Sequence, residues 1–145
     1  MSNVTLAEAS TIVDKALEHG RGQKFKALTV AVLDSGGHLV AFKREDNSSI
    51  LRFEIASGKA WGCLGMGFGG REFARRVAAA PHFIAALTAA SGGRVVPVPG
   101  GVLIRRDGKI VGAVGISGDI SENDEACAVA GIKAAGLAPD TGEPV

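Results

Sequence analysis

Three charged side chains have neighbours that suit them to a pocket. Arg44 closes the run Leu39-Val40-Ala41-Phe42-Lys43, while Glu54 and Lys59 share a segment with helical spacing. Lys59 adjoins Ala60-Trp61, an apolar setting in which an ammonium pairs with an anion or, with its pKa lowered by burial, acts as a base. Arg44 can orient a carboxylate with its forked guanidinium. Together, Lys59 and Arg44 are the catalytic candidates for a cofactor-free enzyme acting on a small carboxylate or aldehyde. Five helical residues turn through about 500°, so Glu54 and Lys59 diverge by roughly 140° and do not both face one cavity squarely.

A second candidate site is made of backbone. The stretch VPVPGGVLIRRDGKIVGAVGISG, ending at Gly118, carries glycines among strong strand-formers. Glycine weakens a strand, so its repetition signals close approach of another backbone or a ligand. Pro99, Gly100 and Gly101 can form one rim of a small-molecule site, with Gly115, Ser117 and Gly118 as the facing edge. Tight packing of a helix or a second subunit answers the same pattern, and both readings stay open. The run Gly65-Met66-Gly67-Phe68-Gly69-Gly70 satisfies G-x-G-x-x-G in form only. Dinucleotide binding needs a preceding strand, and a helix is predicted there. Arg71 and Arg75 share a helix face and, with Arg76, read as a solvated basic edge. There is no G-x-S-x-G elbow, H-E-x-x-H pair or P-loop, and no histidine can be assigned to activate Ser117.

The elements that must position these groups follow from periodicity. Thr5 and Glu8 form a capping box ahead of Leu6, Ala9, Ile12, Val13, Ala16 and Leu17, predicting a helix over 5–19 that Gly20 can end. Asp34-Ser35-Gly36-Gly37 separates two apolar runs and predicts a hairpin whose sheet is covered on both faces for part of its area. Asp107-Gly108 predicts a second hairpin between Val102 and Ile116. Between them lie a helix that begins near Ile50 and two further helical pieces divided at Pro81. Ser121 and Asp124 resemble a capped start to a last helix stopped by Gly136, and the tail 138–145 reads as loosely attached. Helix, two strands, helices, two or three strands and helix make an α+β fold with antiparallel pairing.

Composition bounds the function classes. The 145 residues suit one domain, residues 1–145 with a core over about 5–137, and the net charge of +1 gives no case for nucleic acid or an acidic membrane. No apolar run reaches a membrane span, and the N-terminus lacks a secretion signal, so a cytoplasmic location is expected. Cys63 and Cys127 read as free core thiols, and no metal site is expected. The 21 glycines are about twice the usual share.

Several of these markers occur in one order: VAVLDSGGHLVAF, the segment from Glu54 to Lys59-Ala60, VPVPGGVLI, DGKIVGAVGISG, and Asp124. In that order the chain resembles the GlcG/HbpS family, which includes the C-terminal domain of PduO-type proteins, over residues 5–137. The resemblance implies a profilin-like three-layer α/β/α domain with a five-stranded antiparallel sheet. It also implies symmetric homo-oligomers, from dimers up to octamers. Members bind haem or are linked to corrinoid metabolism or iron handling, so a small-molecule ligand, with haem as the possible cofactor, is expected. In that setting Lys59 can meet a haem propionate, and His19, His38 and His82 are the imidazoles available to iron. Glu45-Asp46-Asn47 and Trp61-Gly62-Cys63 depart from the family pattern.

Overall fold

The computed structural model describes residues 3–143. The first helix, α1 (Leu6–Gly22), opens with the capping box: Thr5 Oγ1 accepts from the Glu8 amide at 3.1 Å, and a Glu8 carboxylate oxygen accepts from the Thr5 amide at 2.9 Å. It runs past Gly20, which was expected to end it. Gly20 serves packing instead, since a Cβ there would lie 2.5 Å from Leu28 Cδ1.

Strands β1 (Thr29–Asp34) and β2 (Leu39–Arg44) form the first hairpin, and β3 (Gly101–Arg106) and β4 (Lys109–Ser117) the second. Asp107 and Gly108 both adopt positive φ, 53° and 79°, as their two-residue turn requires. The sheet order is β2-β1-β4-β3-β5, every pair antiparallel. The last strand, β5 (Ala138–Asp140), corrects the expectation of a loose tail. Three residues with a proline show no periodicity, yet they pair with Leu103–Arg105, and Asp140 accepts from Arg105 Nε at 2.9 Å.

Helices α1 and α5 (Ser121–Ala134) cover one face of the sheet over Val30, Val32, Val102, Ile104, Val114 and Ile116. Helix α2 (Arg52–Met66) covers the other, with α3 (Gly70–Ala79) and α4 (Pro81–Ala90) beyond it, around Leu33, Ala60, Cys63, Phe73, Leu103 and Ala113. This is the three-layer α+β arrangement. Strand β1 is buried on both faces, as expected for its unbroken apolar run. Strand β2 is not: it is the sheet edge, and Leu39, Lys43 and Arg44 are exposed. Helix α5 starts after Ile120 without a side-chain cap, so Ser121 is not the cap and Asp124 has another task. Gly136, at φ 76°, does lie just past the end of that helix. No described helix is long and apolar enough to cross a membrane.

Glycines set the spacing of the layers. A Cβ on Gly115 would run into the Ala56 carbonyl of α2, and one on Gly131 would lie 2.5 Å from the Ile12 carbonyl of α1. Gly65, near the end of α2, has nothing within 4 Å. Gly115→Ala should therefore cost about 3 kcal/mol in urea unfolding by overpacking the sheet against α2. Gly65→Ala should gain about 0.5 kcal/mol from helix propensity. Equal, small effects at the two positions would contradict this division of roles.

Candidate functional site

Helix α2 turns its small side chains toward the sheet, with Ala56, Ala60 and Cys63 all buried. The helix therefore lies against β3 and β4 backbone, and a long side chain on that face must find a gap. Lys59 finds it at the start of β3. A Cβ on Gly101 would lie 2.6 Å from the Lys59 carbonyl and 2.7 Å from Cys63 Sγ. Gly100 has φ 111°, a region that disfavours any residue with a Cβ, and a Cβ there would come within 2.8 Å of Lys59 Nζ. The missing side chains at 100 and 101 are the passage that the lysine occupies.

Its ammonium ends among oxygens. Lys59 Nζ donates to the Ile116 carbonyl at 2.8 Å and to Asp124 Oδ2 at 3.2 Å. Ile116 lies one residue beyond Gly115, the last β4 residue with a partner on β3, so the lysine takes up a carbonyl at the point where that pairing stops. Asp124 belongs to the first turn of α5 on the other face, and its Oδ1 accepts from the Asp119 amide at 3.0 Å. Lys59 is 4% exposed and Asp124 1%. Burial drives the Lys59 pKa below its usual value, opposed by the Asp124 charge and assisted by nearby Arg52. Burial likewise raises the Asp124 carboxyl, opposed by Lys59. The pair joins the two helical layers around the start of β3.

Beside it, Arg52 Nη1 donates to Ser117 Oγ at 3.0 Å and its Nε to Ser49 Oγ at 3.1 Å. Thr29 stands opposite Ser117 in register, and its buried hydroxyl has no hydrogen-bond partner among the described residues. The sequence reading missed Arg52 and Thr29. Neither stands in a motif, and only the β1–β4 register brings Thr29 to Ser117.

The remaining candidates disperse. Pro99 packs under the start of α3, where a Cβ on Gly70 would lie 3.0 Å from Pro99 Cα; a Cβ on Gly118 would enter the Ala27 carbonyl. The space left by Gly100, Gly101, Gly115 and Gly118 is thus filled by the chain itself, which accords with the packing reading of the glycine repetition. Ser117 is buried at the same end of the sheet. Arg44 lines a surface hollow of about 740 Å³ with Arg21, Lys26 and Glu45. Glu54 lines a different cleft of about 470 Å³ with Leu33, Leu39 and Phe53. Neither includes Lys59, so the two residues named for catalysis do not share a cleft. The Lys59 ammonium, enclosed and paired, presents no open charge to a carboxylate.

For iron or a metal ion the donors are few. Both cysteines are buried and free, and burial pushes each thiol up to about 12, leaving no thiolate at neutral pH. No cluster of three His, Cys, Asp or Glu suited to a metal ion occurs among the described residues. His82 is exposed on α4, and exposed His38 has its Nδ1 3.1 Å from Asp34 Oδ1. His19 is half-buried, edge-on to Phe25 with ring centroids 6.5 Å apart, and its ring makes no hydrogen bond among the described residues. It rims a groove of about 620 Å³ along the outer side of α5, where Ala126, Val129, Ala130 and Lys133 follow at helical spacing. Arg71 borders the groove but is held by Glu125 and Glu143, each at 2.5 Å.

The enclosed pair makes a thermodynamic prediction. Lys59→Met or Asp124→Leu alone should cost about 3–5 kcal/mol, because each strands a buried polar partner. Lys59→Met combined with Asp124→Leu should cost much less than the sum, read from urea unfolding as a double-mutant cycle. Additive single effects would contradict a direct pairing.

Residues 4–133 match the family model described as haem degrading protein HbpS-like. No curated protein matches the chain in sequence. Among solved structures, a PduOC–haem complex is 25% identical with a TM-score of 0.85, covering 97% of this chain and 99% of that one. A double mutant of Streptomyces reticuli HbpS is 25% identical with a TM-score of 0.79, covering 92% and 87%. Klebsiella pneumoniae protein ORFY is 23% identical with a TM-score of 0.85, covering 94% and 92%, a likeness of fold. With nearly its whole length matched by one family model and the same three-layer fold in these neighbours, the chain belongs to the HbpS-like family.

Proposed function

We propose that this protein binds a small ligand and that haem, or a closely related tetrapyrrole, is the ligand it takes. The observation that carries the reading is the α5 groove with His19 at its rim. A haem site needs an axial donor, an apolar wall for the macrocycle and a cation for the propionates. His19 offers a half-buried imidazole with no competing hydrogen bond, and Ala126, Val129 and Ala130 offer the wall. Lys133, exposed one turn further along α5, offers the charge without an ion pair among the described residues. The donor set therefore fits haem. His19 would ligate the iron and Lys133 would hold a propionate. When bound, haem supplies iron-centred ligand and redox chemistry; the protein's part is to bind it and shape its access.

The solved PduOC–haem complex supports the choice of ligand class, since that protein covers nearly the whole of this chain. The enzyme alternative built on Lys59 and Arg44 has no comparable support, because the ammonium is buried against Asp124 and Arg44 lines a separate hollow. Homo-oligomers belong to the same proposal. Ile50, Leu51 and Phe83 are large apolar side chains left exposed on one protomer, and a second copy would cover them.

Haemin titration tests the reading. Wild type should give a saturable Soret shift, and light scattering should return a multiple of the 14.7 kDa protomer mass. His19→Ala should weaken haemin binding about tenfold or more and alter the Soret maximum, while His38→Ala and His82→Ala leave both unchanged. Absence of a saturable shift in the wild type would overturn haem binding. An unaltered spectrum in His19→Ala would remove that residue as ligand.

A further inference from the structure

The α5 groove is bordered by three carboxylates, Glu122, Glu125 and Glu143, and by two cations, Arg71 and Lys133. Lys133 has no ion pair among the described residues, whereas Arg71 carries two carboxylates at once. Glu125 takes one edge of the guanidinium, accepting from Nε at 2.9 Å and from Nη2 at 2.5 Å. Its side chain is 6% exposed, so losing Arg71 would strand a buried charge, and this pair stays. Glu143 takes the remaining donor, Nη1, at 2.5 Å. Its side chain is 51% exposed, and an ion pair so open to water holds weakly. One carboxylate anchors Arg71; the other is free to leave.

The backbone beside Glu143 is held without that side chain. The Thr141 carbonyl accepts from the Arg71 amide at 3.0 Å, the Gly142 amide donates to Asp140 Oδ1 at 2.9 Å, and the Gly142 carbonyl accepts from Arg75. Only the Glu143 side chain has to swing away to bare Nη1. The Arg71 guanidinium holds the Glu143 carboxyl below the usual carboxylate range, so it is charged at neutral pH. With Glu143 in place the groove has one more carboxylate than cations; with it withdrawn the two balance. Haem brings two propionates, and an acidic groove opposes them.

We propose that Glu143 is a built-in competitor for the ligand: its carboxylate occupies the place of a propionate on Arg71 Nη1, and haem displaces it while Lys133 holds the other propionate. Arg71 stays paired throughout, because one carboxylate replaces another. This role rests on the haem reading above and adds to it a second propionate contact and a brake on affinity supplied by the chain itself.

The test is titration of Glu143→Ala and wild type with haemin, read by Soret absorbance. Glu143→Ala should bind haemin about threefold to fivefold more tightly, the range of an exposed ion pair removed from competition. Its urea unfolding curve should stay close to that of the wild type, since the side chain is half in water. Haemin dimethyl ester, whose propionates are blocked, should show no such gain, which separates displacement at Arg71 from simple widening of the groove. Saturable wild-type binding with no gain in Glu143→Ala, or an equal gain for the ester, would overturn the competitor role and leave haem binding standing. Absence of a saturable shift in the wild type would remove both.

Discussion

The Lys59 ammonium, enclosed between a β4 carbonyl and the Asp124 carboxylate, is the contact on which the rest of the architecture turns. An isolated charge there would be strongly disfavoured, and its partner comes from the opposite helical layer. The pair therefore fixes how α2 on one face and α5 on the other stand relative to the start of β3. Glycine at 100 and 101 is the condition for it, because a side chain at either position would enter space that Lys59 or its backbone fills. Packing and electrostatics are here one constraint. The helix comes close because the strands lack side chains, and the lysine on that helix then has one way out.

The same constraint reaches the proposed ligand groove. Asp124 belongs to the first turn of α5, and the next residue, Glu125, is held by Arg71 of α3. Further along, Gly131 lets α5 close on the Ile12 carbonyl of α1. These three attachments fix the placement of α5. Its outer stripe, Ala126, Val129, Ala130 and Lys133, is thereby presented beside His19 from the end of α1. Lys59, absent from the groove itself, acts on it by positioning the helix.

Much of the fold was legible in the sequence because its signals are local. The Thr5–Glu8 box, the Asp107-Gly108 turn and the division at Pro81 each depend on a few consecutive residues, and each appears in the structure. Signals that depend on partners were not legible. The apolar run of β2 looks like that of β1, yet β2 is the edge, because strand order is decided by the whole sheet. The tail strand Ala138–Asp140 is held by Leu103–Arg105, far away in sequence. At the candidate site, glycine repetition did signal close approach, and the object approached is α2 and its lysine. Lys59 was singled out as a pocket residue, whereas its partner in the structure is an aspartate 65 residues later. Glycine spacing alone does not distinguish a bound molecule from a neighbouring helix.

The most direct test of this account is the Lys59 ammonium itself, observed by nitrogen-detected NMR of lysine side chains at neutral pH. A charged group enclosed by the Ile116 carbonyl and Asp124 should give a Lys59 Nζ signal whose protons exchange slowly with water, and Asp124→Asn should shift it or abolish its protection. A Lys59 signal in fast exchange, indistinguishable from the surface lysines and unmoved by that substitution, would contradict the buried clamp and the role assigned to the glycines around it.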